Sequence, residues 1–205
     1  LGNIDTECDL SATTALIDLG TASVLAGASL TLTPAQADGL ALTGDGDLIV
    51  SGPVDADYDL SQIETALTLL DVSIADGAVL TLTAAQAHGL AITADGTEGS
   101  GVLAITGDID TECDLSATTA LIDLGTASVL AGASLTLTPA QADGLALTGD
   151  GDLIVSGPVD ADYDLSQIET ALTLLDVSIA DGAVLTLTAA QAHGLAITAD
   201  GTEGS

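Results

Sequence analysis

Leu30-Thr31-Leu32-Thr33-Pro34-Ala35-Gln36-Ala37-Asp38-Gly39-Leu40-Ala41 carries the strongest structural signal in the chain. Its opening alternates apolar and hydroxyl residues, the period of a half-buried strand. Its second part has a capping Thr, a Pro at the first helical position and a Gly just past the end, which predicts a single helical turn forming a corner over residues 33–39. The pattern returns as Leu-Thr-Leu-Thr at 80–83, followed by Ala85-Gln86-Ala87 and Gly89-Leu90-Ala91. A strand-and-corner signature used twice points to a chain built from repeats.

Beyond this segment, the marker Asp-Leu-Ser stands at 9–11, 59–61, 114–116 and 164–166, with spacings of 50, 55 and 50. Residues 4–100 recur unchanged as residues 109–205, a shift of 105. The chain therefore reads as repeat unit one over 1–108, with halves at about 9–58 and 59–108, and repeat unit two over 109–205, with halves at about 114–163 and 164–205. Leu1-Gly2-Asn3 stands where the second copy has Thr106-Gly107-Asp108, so these residues are expected to be a window of a longer array.

Short alternating runs bounded by Gly and Asp predict strands that include 28–33, 40–43, 47–51, 79–83 and 90–93. Such strands, repeated in this way, predict an all-β fold: a β-solenoid (parallel β-helix) of tandem repeats with single-turn helical corners, each half supplying roughly two coils of about 25 residues. The alternative is a pair of tandem immunoglobulin-like β-sandwiches of about 100 residues each. The internal halving and the absence of Trp weigh against it.

Composition narrows the function. The chain has 31 acidic residues, no Lys or Arg and a formal charge of −31, so no basic side chain offsets the acids. Nucleic acid and anionic membrane surfaces are poor partners for it. With 47% apolar residues the chain is expected to fold all the same, and Tyr58 and Tyr163 as its only aromatics point to a thin, layered core. The most apolar stretch is broken by Asp18, glycines and hydroxyls, so no membrane insertion is expected.

The acids themselves form the sharpest candidate site. Asp55-Ala56-Asp57-Tyr58-Asp59 recurs with Asp160, Asp162 and Asp164, and Asp5-Thr6-Glu7-Cys8-Asp9 recurs with Asp110, Glu112 and Asp114. As strands, these would set three carboxylates on one face, the hard oxygen ligands that Ca²⁺ takes. Ca²⁺ is accordingly the expected cofactor and these twelve acids its expected ligands; a merely solvated face is the alternative. Carboxylates stacked about 4.8 Å apart repel by roughly 3 to 4 kcal/mol at an effective dielectric near 20, so folding without a cation is expected to raise their pKa values. Asp45, Asp47 and Asp95 are loop acids whose simpler role is turn formation. Cys8 and Cys113 are expected to be buried thiols with no bridge between them, and His88 and His193 to be surface residues at the tip of the corner. Nothing marks a nucleophile, so no enzyme is expected.

The run Leu-Thr-Leu-Thr-x-Ala-Gln-Ala-x-Gly-Leu-Ala, with its Gly and Asp turns and Asp-Leu-Ser, resembles the degenerate repeats of very large secreted bacterial surface proteins and adhesins. The resemblance implies an extracellular or cell-surface setting and calcium. The expected function is structural: a fibre, stalk or surface-layer element whose partner is itself, by homopolymerisation or continued repeats. The alternative is an adhesin whose solenoid faces bind a ligand directly.

Overall fold

The computed structural model describes residues 3–14, 19 and 22–200, the last of these by its backbone only. The chain divides into two compact units, one of residues 1–86, 92–106 and 118–123, the other of residues 87–91, 107–117 and 124–205. Each is a β-solenoid. Every strand pairing among the described residues is parallel, which a sandwich of antiparallel sheets does not allow.

In the first unit, strands Cys8–Asp9, Ser29–Leu32, Asp47–Ser51 and Ala66–Leu70 lie side by side, with Cys8, Leu30, Leu48 and Leu67 in register. The steps are 22, 18 and 19 residues (30 − 8, 48 − 30 and 67 − 48). A second sheet joins Tyr58–Asp59, Val79–Thr83, Val102–Thr106 and Leu121–Asp123 at steps of 22, 23 and 19 (80 − 58, 103 − 80 and 122 − 103). The second unit repeats the first sheet with Glu112–Asp114, Ser134–Leu137, Asp152–Ser156 and Ala171–Leu175. Between the sheets run short bridges such as Val54 to Ile74 and Ile109 to Val129.

A coil is therefore 18 to 23 residues long, shorter than the expected 25 or so. Tyr58 lies between Leu48 and Leu67 in sequence, so a single coil visits both sheets and returns. A half-repeat of 50 residues then holds about two and a half coils instead of two. Equivalent residues of successive halves consequently fall on different sheets: Cys8 and Leu30 on one, Tyr58 and Leu80 on the other.

The core consists of ladders of branched aliphatics. Leu30, Leu32, Leu48, Leu80, Leu82 and Leu103 are fully buried, while the intervening Thr31 and Thr81 stay half-exposed. Each buried Leu contributes roughly 1.5 to 3 kcal/mol, and neighbours in register continue the same apolar row. Strands at 47–51 and 79–83 stand as expected, and 28–33 is realised as Ser29–Leu32. Residues 40–43 are not a strand, and the strand expected at 90–93 begins only at Thr93. In both places the chain leaves the helical corner through a glycine at positive φ, Gly39 (+64°) or Gly89 (+71°), and is still curving back into register. Leu42 and Ile92 are buried there nonetheless.

Gly44 and Gly46 mark a close approach of coils. A β-carbon on Gly44 would overlap the Val24 carbonyl, and one on Gly46 the Leu25 carbonyl, so the turn carrying Asp45 is held by backbone packing.

Candidate functional site

The helical corners are the most elaborately bonded feature of the repeat. In the first unit, Thr33 caps the turn Pro34–Ala37 and accepts from the Gln36 backbone, while Gln36 Oε1 accepts from the Thr33 backbone at 2.8 Å, a complete capping box. The Gln36 amide nitrogen then reaches back a full coil and donates to the Leu10 and Thr13 carbonyls at 2.9 and 2.8 Å. On the other side of the corner, Asp38 Oδ1 accepts from the Asp59 backbone at 2.8 Å, and the Gly39 N–H donates to the Asp59 carbonyl. The corner is a clamp that bonds the coil before it and the coil after it.

The clamp recurs. Gln86 bonds the Thr83 backbone and the carbonyls of Leu60 and Ile63. Within the second unit, His88 Nδ1 accepts from the Asp114 backbone at 3.1 Å and Gly89 donates to the Asp114 carbonyl at 2.8 Å. Gln141, Asp143 and Gly144 treat Leu115 and Asp164 in the same manner. His88 is exposed, as expected, but it also accepts a hydrogen bond at the place that the carboxylate of Asp38 takes in the other half. The capping Thr was read from the sequence; the box it closes with Gln36 and the reach to neighbouring coils were not.

The acidic stretches are built differently from the expected strand. Residues 55–57 form a bend, only Tyr58–Asp59 pairs, and Ala56 is exposed. The three carboxylates go separate ways. Asp55 accepts from the Tyr58 hydroxyl at 2.6 Å, Asp57 from the Val79 backbone one coil on at 3.0 Å, and Asp59 from the Ser61 backbone at 2.9 Å. Asp160, Asp162 and Asp164 do the same for Tyr163, Val184 and Ser166. Asp9 and Asp114 each accept from the backbone and hydroxyl of the serine two residues on. Asp5, Glu7, Asp110 and Glu112 are exposed. Among the described residues no three His, Cys, Asp or Glu side chains are grouped so as to hold a metal ion.

Sequence reasoning passes over Asp76, a carboxylate that the fold puts to use. Its oxygens accept from the backbone of Glu98 and Ser100 in the next coil, at 3.1 and 3.0 Å, holding the loop over residues 97–100.

These bonds set the protonation equilibria. Hydrogen bonds from Ser11, from Ser100 with Glu98, and from Ser166 hold Asp9, Asp76 and Asp164 below their ordinary 3.8. For these three the shift is opposite to the rise that charge crowding was expected to cause. Their contribution to stability is present above the ordinary value and is lost as pH falls through the lowered one. Tyr58 moves the other way, pushed up from 10.0 to about 12 by its bond to Asp55, then by burial and by the charges of Asp55 and Asp38. Tyr163 is raised likewise. Burial, with the charge of Asp114, pushes the Cys113 thiol from 9.0 to about 11. Neither Cys8 nor Cys113 forms a disulfide, and Cys113 is buried while Cys8 is half-buried.

An alkaline transition is the consequence. Groups whose folded pKa is raised stabilise fully below their unfolded value and lose that contribution as pH rises, here from about 9 for Cys113 and about 10 for Tyr58. Melting temperature is expected to fall above pH 9. The double variant Tyr58→Phe, Tyr163→Phe should melt below the wild type at neutral pH and converge with it as pH approaches 12. A gap that persists at the highest pH would count against the Tyr58–Asp55 bond.

No family model, curated protein or solved structure matches the chain. Among the described residues no helix is long and apolar enough to cross a membrane.

Proposed function

We propose that the chain is a structural repeat segment, an extracellular or cell-surface scaffold extended by stacking of identical units. The observation that carries this reading is the clamp: in each unit a corner is bonded to the coils on both sides of it, and the chain devotes its most specific polar chemistry to coupling coil to coil. Chains of two, four and eight 105-residue units, compared by small-angle scattering, test it. A scaffold grows in maximum dimension in proportion to unit number, whereas growth with the cube root would mean that units collapse on one another.

Calcium enters this reading as the ion that relieves a charge of −31. Bound only to the folded state, it stabilises by mass action, about 2.7 kcal/mol per site at a hundredfold excess over its dissociation constant. Chelation at neutral pH is expected to lower the melting temperature, and millimolar Ca²⁺ to restore it better than NaCl of equal ionic strength. Equal rescue by NaCl reduces the acids to a screened surface that also caps backbone groups.

One observation favours the adhesin alternative: a groove of about 260 Å³ lined by Pro34, Ala35, Pro53, Asp55 and Tyr58. It contains one of the two aromatic rings of the chain. If it binds a ligand, Tyr58→Ala with Tyr163→Ala should abolish adhesion of the array, and loss of adhesion with retained folding would move the assignment from scaffold to binding module.

A further inference from the structure

The residues that line the groove beside Tyr58 recur unchanged around Tyr163 in the second unit. The groove's apolar side is Pro34, which is buried, with Ala35 and Pro53 exposed next to it. Gly52 keeps the space there open: a β-carbon at this position would meet only Pro34 Cδ, at 4.0 Å. The polar side is the half-buried ring of Tyr58, whose hydroxyl donates to Asp55 Oδ1 at 2.6 Å; Tyr163 bonds Asp160 Oδ1 in the same way at 2.7 Å. This bond fixes the ring and occupies one carboxylate oxygen, while no donor among the described residues reaches Asp55 Oδ2. Asp38 is close enough for its charge, with that of Asp55, to help keep the proton on the Tyr58 hydroxyl, as Asp143 and Asp160 do at Tyr163.

An aromatic ring, an apolar trough and two carboxylates around one hydroxyl select the charge of the occupant. An anion is repelled, and a neutral apolar ligand leaves the carboxylates unmatched. A cation meets both the ring and the acids. With no Lys or Arg anywhere in the sequence, neither this chain nor a second copy can supply such a side chain, so it comes from a different protein. Guanidinium suits the groove better than ammonium: it is flat, stacks on an aromatic face and offers a carboxylate a fork of donors, while its methylene stem can lie along Pro34 and Ala35. The surroundings extend the match beyond one side chain. Leu70 pairs in register with Ser51 of the groove and is 51% exposed, and Leu175 pairs with Ser156 and is 50% exposed. An apolar residue flanking the arginine covers that leucine, which a free cation cannot do.

We propose that the groove at Tyr58, and its copy at Tyr163, each receive an arginine side chain from an exposed segment of a partner protein. The guanidinium stacks on the tyrosine ring and donates to the free oxygen of Asp55 or Asp160, and an apolar neighbour of the arginine rests on Leu70 or Leu175. This deepens the adhesin alternative, on which it rests, by naming the chemistry of its ligand. The scaffold reading does not depend on it.

The test titrates acetyl-Leu-Gly-Arg-Gly-Leu amide into the 205-residue chain and follows it by proton NMR, where Tyr58 and Tyr163 give the only tyrosine ring signals. Both rings are expected to shift to saturation, and the arginine side-chain protons of the peptide to move upfield under the ring. Peptides with lysine or citrulline in place of arginine, and acetylarginine amide alone, should bind about fivefold more weakly. Asp55→Asn with Asp160→Asn keeps an acceptor for each tyrosine hydroxyl and should weaken the arginine peptide by about tenfold. Asp45→Asn with Asp150→Asn removes the same charge from turns outside the groove and should change binding by less than about twofold, because exposed charges at a distance are screened. Rings that do not move, an analogue that binds as well as the arginine peptide, or equal losses from the two aspartate pairs would each overturn the proposal. Should adhesion of the array still be lost in Tyr58→Ala with Tyr163→Ala, the adhesin alternative would stand with a different ligand.

Discussion

Gln86→Ala is expected to destabilise the first unit by about 3 kcal/mol in urea denaturation. The side chain makes three bonds at once: its oxygen accepts from the Thr83 N–H at 2.7 Å, and its nitrogen donates to the Leu60 and Ile63 carbonyls, both at 2.9 Å. All three are partly shielded from water. Truncation leaves three backbone groups without their partner, and a backbone group left unmade costs roughly 1 to 3 kcal/mol when buried, so about 1 each is a fair scale here. Gln86→Glu keeps the acceptor, removes the two-proton donor and sets a carboxylate against two carbonyls, so it should be no better tolerated. Gln191→Ala supplies the internal comparison. Gln191 makes the same three bonds, but Thr188 is exposed and water can replace part of what is lost. Its cost is expected to be about 2 kcal/mol, because its bonds to the Leu165 and Ile168 carbonyls are still partly shielded. Equal costs at 86 and 191 would show that shielding of the turn bond adds nothing to the clamp.

A gain of similar size is expected at two threonines. Thr65 and Thr170 are each 5% exposed, and their hydroxyls are buried without a hydrogen-bond partner. Thr65 lies four residues past the Ser of its Asp-Leu-Ser marker, and in the other half of the repeat the same position is Ala120, which is buried as well. The site accepts an apolar side chain. Thr65→Val with Thr170→Val keeps the shape and removes two unsatisfied hydroxyls, each costing roughly 1 to 3 kcal/mol. At about 2 to 4 °C per kcal/mol for a chain of this size, calorimetry should show a rise of several degrees. Thr65→Ser keeps the hydroxyl and should not share the gain. A lower melting temperature for the valine variant would sink the argument, because the hydroxyls would then be bonded.

The strands and corners were legible because their signals are local. Leu-Thr-Leu-Thr alternates within four residues, and Thr33, Pro34 and Gly39 announce a helical turn within seven. Coil length was not legible from the same residues. It depends on Leu30 finding Leu48, and Leu48 finding Leu67, across strands reading SLTL, DLIVS and ALTLL that share no motif. The acids were harder still. Asp57 and Asp38 bond backbone groups 22 and 21 residues away, a relation that exists only once the coil closes. A regular row of carboxylates looked like a set of ligands for one ion because alternation was the only order visible along the chain.

The half-coil offset between successive halves bears on how such a gene can change length. Within the first unit, moving 50 residues along the chain carries a residue from one sheet to the other, as Cys8 and Tyr58 show. Recombination that deleted a single half would therefore turn everything beyond the break to the opposite side and misalign the clamps with the coils they bond. Deletion or duplication of 105 residues returns every residue to the sequence neighbours it has within the repeat. Slippage between copies should thus be tolerated in whole units and rejected in halves, which accounts for a sequence that is only loosely similar at 50 residues and identical at 105.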